Sequence, residues 1–425
     1  MIGQDEPRDL IALIVPRAGS VQRTGDPWEP FRLIGPEGAV VAPAVVYLRE
    51  LQACGRPENT LRSYAIALLR WFRFLRAIGV PWDQATRIEA RDFCCWIQIA
   101  VKPAGAGRRA DADGATGLAR AAGGSDAGVP NRVTGKAAPG RNYAAATRTH
   151  SESVLRGFYD FHRDAGSGPM VNPFPLSRGR PGRAHAHHNP MEPHRGERSG
   201  LYRPRLARQA PHHIPDGAFG ELFARLGSDR DRALVAFWVS TGARASELLG
   251  ATCRDADPGQ QLITVVRKGT RHLQQLPASP DAFVWLRLYQ VQTMGLVPAG
   301  PDDPLWWTLR RPFRQLGYHA AYRMFHRANA SLGANWSLHD LRHLAAYRMA
   351  RDPAMPLTDV QWVLGHAHLT TTQLYLSAPA GEVIESVLAH HARMAGRQEA
   401  SCRPADPGSG YRPETLDILF GEGKW

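Results

Sequence analysis

Residues 231–254 read DRALVAFWVSTGARASELLGATCR. Leu234, Val235, Phe237 and Trp238 recur at helical spacing, Thr241-Gly242 is a turn signal, and Ala243, Arg244, Ser246, Glu247 and Leu248 open a second helix. Helix, tight turn and helix are therefore predicted, with Arg244 at a helix N-terminus, where backbone N–H groups and the helix dipole already favour an anion. Taken alone, an arginine there is an ordinary surface cation, with Glu247 three residues on as its salt-bridge partner.

Toward the C-terminus, residues 261–276 (QLITVVRKGTRHLQQL) predict two strands joined at Lys268-Gly269-Thr270, the run Leu262–Val266 supplying β-branched and apolar residues and Gly269 the turn. The lysine is unusual in this composition. Only four of the 52 Lys+Arg residues are lysine (Lys102, Lys136, Lys268, Lys424), which leaves 48 arginines. With abundant Ala, Gly and Pro, such a bias fits a GC-rich genome that writes Arg wherever positive charge suffices. Lys268 stands between Arg267 and Arg271, and an ammonium can give up a proton where a guanidinium effectively cannot.

Residues 335–352 (NWSLHDLRHLAAYRMARD) place Ser337 and Asp340 as a capping box, so His339, Arg342 and His343 fall in the first turns of a helix. A histidine pair at this spacing also occurs in zinc sites, but here no Glu follows the first His, and an arginine inside the pair opposes a cation. Residues 357–376 (LTDVQWVLGHAHLTTTQLYL) predict a helix capped by Thr358 and closed by Gly365, then His366, then a helix capped by Thr370 or Thr371 with Tyr375 in its first turns.

Upstream, the pattern is helical from Pro43 onward. Leu61, Tyr64, Leu68, Trp71, Phe72 and Leu75 form an apolar stripe on a helix capped by Asn59 or Thr60, and Arg62, Arg70, Arg73 and Arg76 occupy its other face. A further helix is predicted over 88–99, and helical pattern resumes at Tyr143. Residues 103–140, mostly Ala, Gly, Asp and Arg, are too poor in large apolar side chains to offset ordering entropy and are expected to be a flexible insertion. The division is therefore a leader of uncertain order (1–40), a helical domain (41–166), a linker rich in Pro and Gly (167–213), a second domain (214–400) and a tail (401–425). Between positions 178 and 208 the linker carries eight Arg and four His against two Glu, which suits a phosphate backbone. Its His185, His187 and His188 lack the rigid surroundings that a metal site needs.

The whole chain of 425 residues has a formal net charge of +13, which favours polyanionic partners, nucleic acid first. No secretory signal and no apolar run of 18 residues is present, so neither export nor a membrane span is expected. Five cysteines without CxxC spacing give neither a disulfide framework nor a cysteine zinc site, as expected of a reducing cytoplasm.

Taken in order, Arg244 in T-G-A-R-x-x-E-L, Lys268 on a K-G turn, His339-x-x-Arg342-His343, Leu364-Gly365-His366 and Tyr375 nine residues later resemble the tyrosine recombinase (phage integrase) family. The likeness spans about 213–395, and more weakly 40–165. It implies a mainly α fold with a small β-sheet in the C-terminal domain: a helical core-binding domain followed by an α+β catalytic domain. It further implies a site-specific DNA recombinase, of integrase or transposase type, that works without cofactor, metal or ATP. Tyr375 is then the nucleophile, Arg244, Arg342 and His366 bind the phosphate, His339 accepts the tyrosine proton, Lys268 protonates the leaving oxygen, and Glu247 and His343 support them.

Implied partners are double-stranded DNA carrying a specific recombination site, three further copies in a homo-tetramer on two DNA sites, and an accessory recombinase or directionality protein. The setting is a bacterial cytoplasm, at the nucleoid. Arg62, Arg70, Arg73 and Arg76 become candidate DNA contacts, and the apolar residues of 383–394 a helix for a neighbouring copy. The family often carries His two residues after the nucleophile, where this chain has Ser377. A DNA-binding regulator of the same fold, or a topoisomerase-like relaxing enzyme, is the alternative.

Overall fold

The computed structural model describes residues 7–102, 128–137, 140–177, 199–204, 213–376, 384 and 387–394. Residues 103–127 of the expected insertion, the three linker histidines, Ser377 and the 401–425 tail lie outside these. The chain divides into two compact units, 1–131 with 135–208 and 132–134 with 209–425.

In the first unit, β1 (Ser20–Arg23) and β2 (Phe31–Ile34) pair antiparallel, and four helices follow: α1 (Ala42–Ala53), α2 (Glu58–Ala77), α3 (Arg87–Ile99) and α4 (Ala145–Asp164). The stretch expected to be a leader is thus partly structured, for two reasons. Phe31 and Leu33 alternate inward from β2 into the helical core. Arg8 pairs with Glu89 (2.7 Å) and Asp92 (2.8 Å) of α3, while the Arg73 guanidinium donates to the backbone carbonyls of Arg17, Ala18 and Gly19, each at 2.7 Å.

Helix α2 starts at Glu58, directly after Pro57, rather than being capped by Asn59 or Thr60. Its apolar stripe buries Trp71, whose ring meets those of Phe74, Phe93, Tyr159 and Phe174 at centroid distances of 5.1 to 6.1 Å. The indole N–H donates to the Tyr159 hydroxyl at 2.8 Å, and that hydroxyl to the Trp82 carbonyl at 2.9 Å, so both buried polar tips are satisfied.

The second unit is built around α6 (Asp229–Thr241), which is buried on most sides, with α5 (Asp216–Ala224), α8 (Pro280–Thr293) and α10 (Leu338–Arg351) about it. Helix α7 (Ala245–Leu249) leads into an antiparallel sheet of β3 (Ala256–Asp257), β4 (Leu262–Val266) and β5 (Leu273–Pro277), in register from Leu262↔Pro277 to Val266↔Leu273. Helices α9 (Tyr318–Ala330), α11 (Leu357–Leu364) and α12 (Leu369–Gln373) complete it. The fold is mostly helical with small antiparallel sheets, one of them in the N-terminal unit, where none was predicted.

Turns, more than caps, set the geometry near the C-terminal helices. Gly242 closes α6 at φ +61°, and a Cβ there would stand 2.8 Å from Leu364 Cδ2, so only glycine lets the α6–α7 turn approach α11. The expected threonine caps are not used: α11 starts after Pro356, and α12 after His368. Among the described residues, no helix is long and apolar enough to cross a membrane.

Candidate active site

The capping box was legible in the sequence: the Asp340 carboxylate accepts from the Ser337 backbone N–H at 2.7 Å and from its hydroxyl at 3.0 Å. This sets the first turn of α10 and with it Arg342. That guanidinium, 3% exposed, donates to the Gly242 carbonyl at 2.7 Å and to the Leu364 carbonyl at 2.6 Å. One side chain thereby ties the T-G-A-R turn to the L-G-H turn. Burial foremost, then the Arg244 charge, lowers its pKa to about 10, so it stays a cation at neutral pH with further N–H groups for an anion.

Arg244 is the N-cap residue of α7, as its place after the turn predicted. The Glu247 carboxylate, 4% exposed, accepts from its backbone N–H (2.9 Å) and its guanidinium (2.8 Å). The same carboxylate accepts from Arg267 Nη1 (3.0 Å) and from the backbone N–H of Lys268 (2.9 Å). Burial raises the Glu247 pKa, but those donors outweigh it and leave the group below its ordinary value. Lys268 itself is exposed at the hairpin tip, where Gly269 (φ +107°) and Arg271 (φ +58°) turn the chain.

Tyr375 stands just beyond α12, 7% exposed, against Ala346, Val360 and Leu364. Its hydroxyl is 2.8 Å from His343 Nδ1, and its ring lies parallel to that of His366, 6.3 Å away. The His339 and His343 rings meet edge to face at 4.4 Å. Proton acceptance was expected of His339 and support of His343; the hydrogen bond to the nucleophile candidate runs instead to His343. One turn along α10 from His339, His343 faces the segment after α12, a long-range placement that the local pattern does not encode. Burial raises the Tyr375 pKa, against the pull of the Arg342 charge.

His366 Nδ1 lies 3.0 Å from the hydroxyl of fully buried Thr372. Burial first, then the charges of Arg342, Arg244, Arg267 and His339, lowers its pKa to about 4.

Three of the four arginines of α2 have partners within the first unit. Arg70 lies over the Tyr143 ring at 4.8 Å, Arg73 holds the three carbonyls of the N-terminal arm, Arg76 pairs with Glu37 at 3.1 Å, and Arg62 is exposed.

Two features escaped the sequence reading. Arg267 is 5% exposed and continues the inward parity of Ile263 and Val265, so an arginine on the buried face of a strand was the available signal. Helix α9 buries Ala321, Met324, Phe325 and Ala328 and exposes Tyr318, His319, Tyr322, Arg323, His326 and Arg327. No acid occurs anywhere in 304–339.

Residues 223–381 match the phage integrase family. This segment belongs to that family. Among curated proteins, the chain is 31% identical over 199 residues to the tyrosine recombinase XerD of Pseudomonas aeruginosa, a match covering 45% of this chain and 65% of that relative. The chain thus spans just under two thirds of that relative's length. Among solved structures, an integrase of transposon Tn1549 in complex with circular intermediate DNA aligns at TM-score 0.51 and 14% identity over 81% of this chain and 98% of that one. A lambda integrase dimer bound to a COC′ core site aligns at TM-score 0.51 and 15% identity, over 79% and 76%. These two likenesses establish the fold. The integrase-family segment encloses every candidate catalytic residue from Arg244 to Tyr375.

Proposed function

We propose that the chain is a site-specific DNA recombinase that cleaves and rejoins strands through a phosphotyrosine at Tyr375. The observation that carries this reading is the Tyr375 hydroxyl hydrogen-bonded to His343, with the His366 ring parallel to the phenol and the Arg342 guanidinium keeping further N–H groups for a phosphate. The attacking Tyr375 oxygen forms a bond to phosphorus while the bond from phosphorus to the 5′ oxygen breaks. The phenolic proton passes to His343 Nδ1, which a neutral ring protonated at Nε2 offers as acceptor. Arg244 and Arg342 stabilise the charge that grows on the non-bridging oxygens, where preoriented donors act most strongly. Neutral His366, with Nδ1 accepting from Thr372, carries its proton on Nε2 as a further donor. Lys268 supplies the proton that the departing 5′ oxygen takes up. The 3′-phosphotyrosine conserves bond energy, so a 5′ hydroxyl of a partner strand reverses the step.

Duplex DNA fits the surface as well as the pocket. The exposed Arg323 and Arg327 of α9, interleaved with Tyr322 and His326, offer phosphate and base contacts within a stretch, 304–339, that holds no acidic residue. A homo-tetramer on two sites follows from the four strand cleavages of recombination. Exposed Val387, Leu388 and Met394 on the C-terminal helical segment support contact with a neighbouring copy.

The test is a pool of nicked duplexes with a randomised centre, from which covalent protein–DNA adducts are enriched. Enrichment of one sequence by the wild type and none by Tyr375→Phe is expected. Adducts formed equally by Tyr375→Phe would overturn the assignment, and relaxation of any supercoiled plasmid would favour the topoisomerase reading.

A further inference from the structure

We propose that Arg267 is a positioning residue that locks the Lys268 hairpin to the Glu247 carboxylate and to the Leu364-Gly365 turn, so that the proton donor is aimed at the leaving oxygen of the phosphate that His366 binds. The proposal rests on the recombinase reading above.

Arg267 makes three kinds of contact from one buried guanidinium. Nη1 donates to Glu247 Oε2 at 3.0 Å, Nε to Gln274 Oε1 of β5 at 2.6 Å, and Nη2 to the Val363 carbonyl at the end of α11. Gln274 adds a second link to α11, its Nε2 donating to the Trp362 carbonyl at 2.9 Å. The next residue beyond this helix end is Gly365, at φ +60°, where a Cβ would come 3.2 Å from Arg267 Nε and 3.3 Å from its Cζ. The glycine that precedes His366 therefore leaves the space that the guanidinium fills. On the other side, Glu247 receives the Lys268 backbone N–H and both donors of Arg244. Arg267 is in this way joined to the elements bearing Arg244, Lys268 and His366.

Stability does not account for a cation here. Ile263 and Val265 fill the same strand face, and apolar replacement of a buried ion pair is often neutral or stabilising. The charge also lies among other arginines, since Arg244 acts on it unfavourably. What the fork of donors supplies is fixed relative geometry, because its plane holds three acceptors at once.

The experiment uses the full chain and the nicked duplex enriched above, made with either oxygen or sulfur at the 5′ bridging position. A sulfur leaving group needs no proton, so it removes the requirement for Lys268. Arg267→Met is expected to lose about 100-fold in single-turnover cleavage of the oxygen duplex at saturating DNA, the scale of an ångström misplacement, while DNA affinity stays within about threefold. The sulfur duplex should restore most of that loss, as it should for Lys268→Ala. A smaller loss with the same selective rescue is expected of Gln274→Met, and this variant and Arg267→Lys decide the matter by the same ratio if Arg267→Met does not fold. Equal losses on both duplexes, or none, would overturn the proposal. If Lys268→Ala is rescued and the Arg267 variants are not, the Arg267 proposal alone fails; if Lys268→Ala is not rescued, the proton-donor reading fails and takes the proposal with it.

Discussion

The proton of Tyr375 is decided by single residues. Because His343, not His339, is bonded to the hydroxyl, His343→Ala is expected to lower cleavage at neutral pH by about 10²–10⁴-fold, the usual worth of a positioned base. The loss should shrink as pH rises toward the elevated pKa of the buried phenol; a pH-independent deficit would contradict the base role. His366 makes a second prediction. Its folded pKa is about 4 against an ordinary 6.5, so between these values the unfolded chain binds a proton that the folded chain does not. Stability must then fall as pH drops through that window, and His366→Gln should flatten this part of the profile in denaturant titrations without DNA. An unchanged pH slope in the variant would count against the assignment of the shift. The motif residues were visible in sequence because their chemistry is local to short spacings. The choice between two histidines one turn apart was not, because it depends on where the segment after α12 returns.

At the scale of elements, the turn closing α6 and the turn closing α11 are built against each other. Gly242→Ala puts a methyl group 2.8 Å from Leu364 at positive φ, and the strained backbone alone costs on the order of 1 to 3 kcal/mol. Chemical denaturation should show a lower midpoint, and cleavage should fall with it, since Arg342 holds both Gly242 and Leu364 carbonyls. Retained stability would mean that the two turns can separate. Both glycines, and the strands around Lys268, were legible from turn chemistry and from the β-branched run Leu262–Val266. The threonine caps were misread because proline or histidine already ends the extended segment before each helix. The β1–β2 pair was missed because its strands are only four residues long and are held by the α1–α4 core and by Arg73, which no local pattern reports.

For the whole molecule, the excess of positive charge resolves into different tasks. Several basic side chains of the first unit hold the protein's own chain together, as Arg8, Arg73 and Arg76 do, whereas α9 presents Arg323 and Arg327 outward. Substituting either α9 arginine by alanine should weaken DNA binding and reduce the slope of log affinity against log salt by about one for each phosphate that is no longer neutralised. Arg73→Ala should instead lower thermal stability with little change in that slope. The reverse outcome would return the DNA-binding role to α2.

The proposed reaction turns on a covalent bond between one oxygen, that of Tyr375, and one phosphorus. Mass spectrometry of the enriched adduct, trimmed by nuclease and protease, should find a nucleotide attached through its 3′ phosphate to the peptide carrying Tyr375, and nothing at that mass from Tyr375→Phe. A nucleotide on any other residue, or an adduct that survives in Tyr375→Phe, would contradict it.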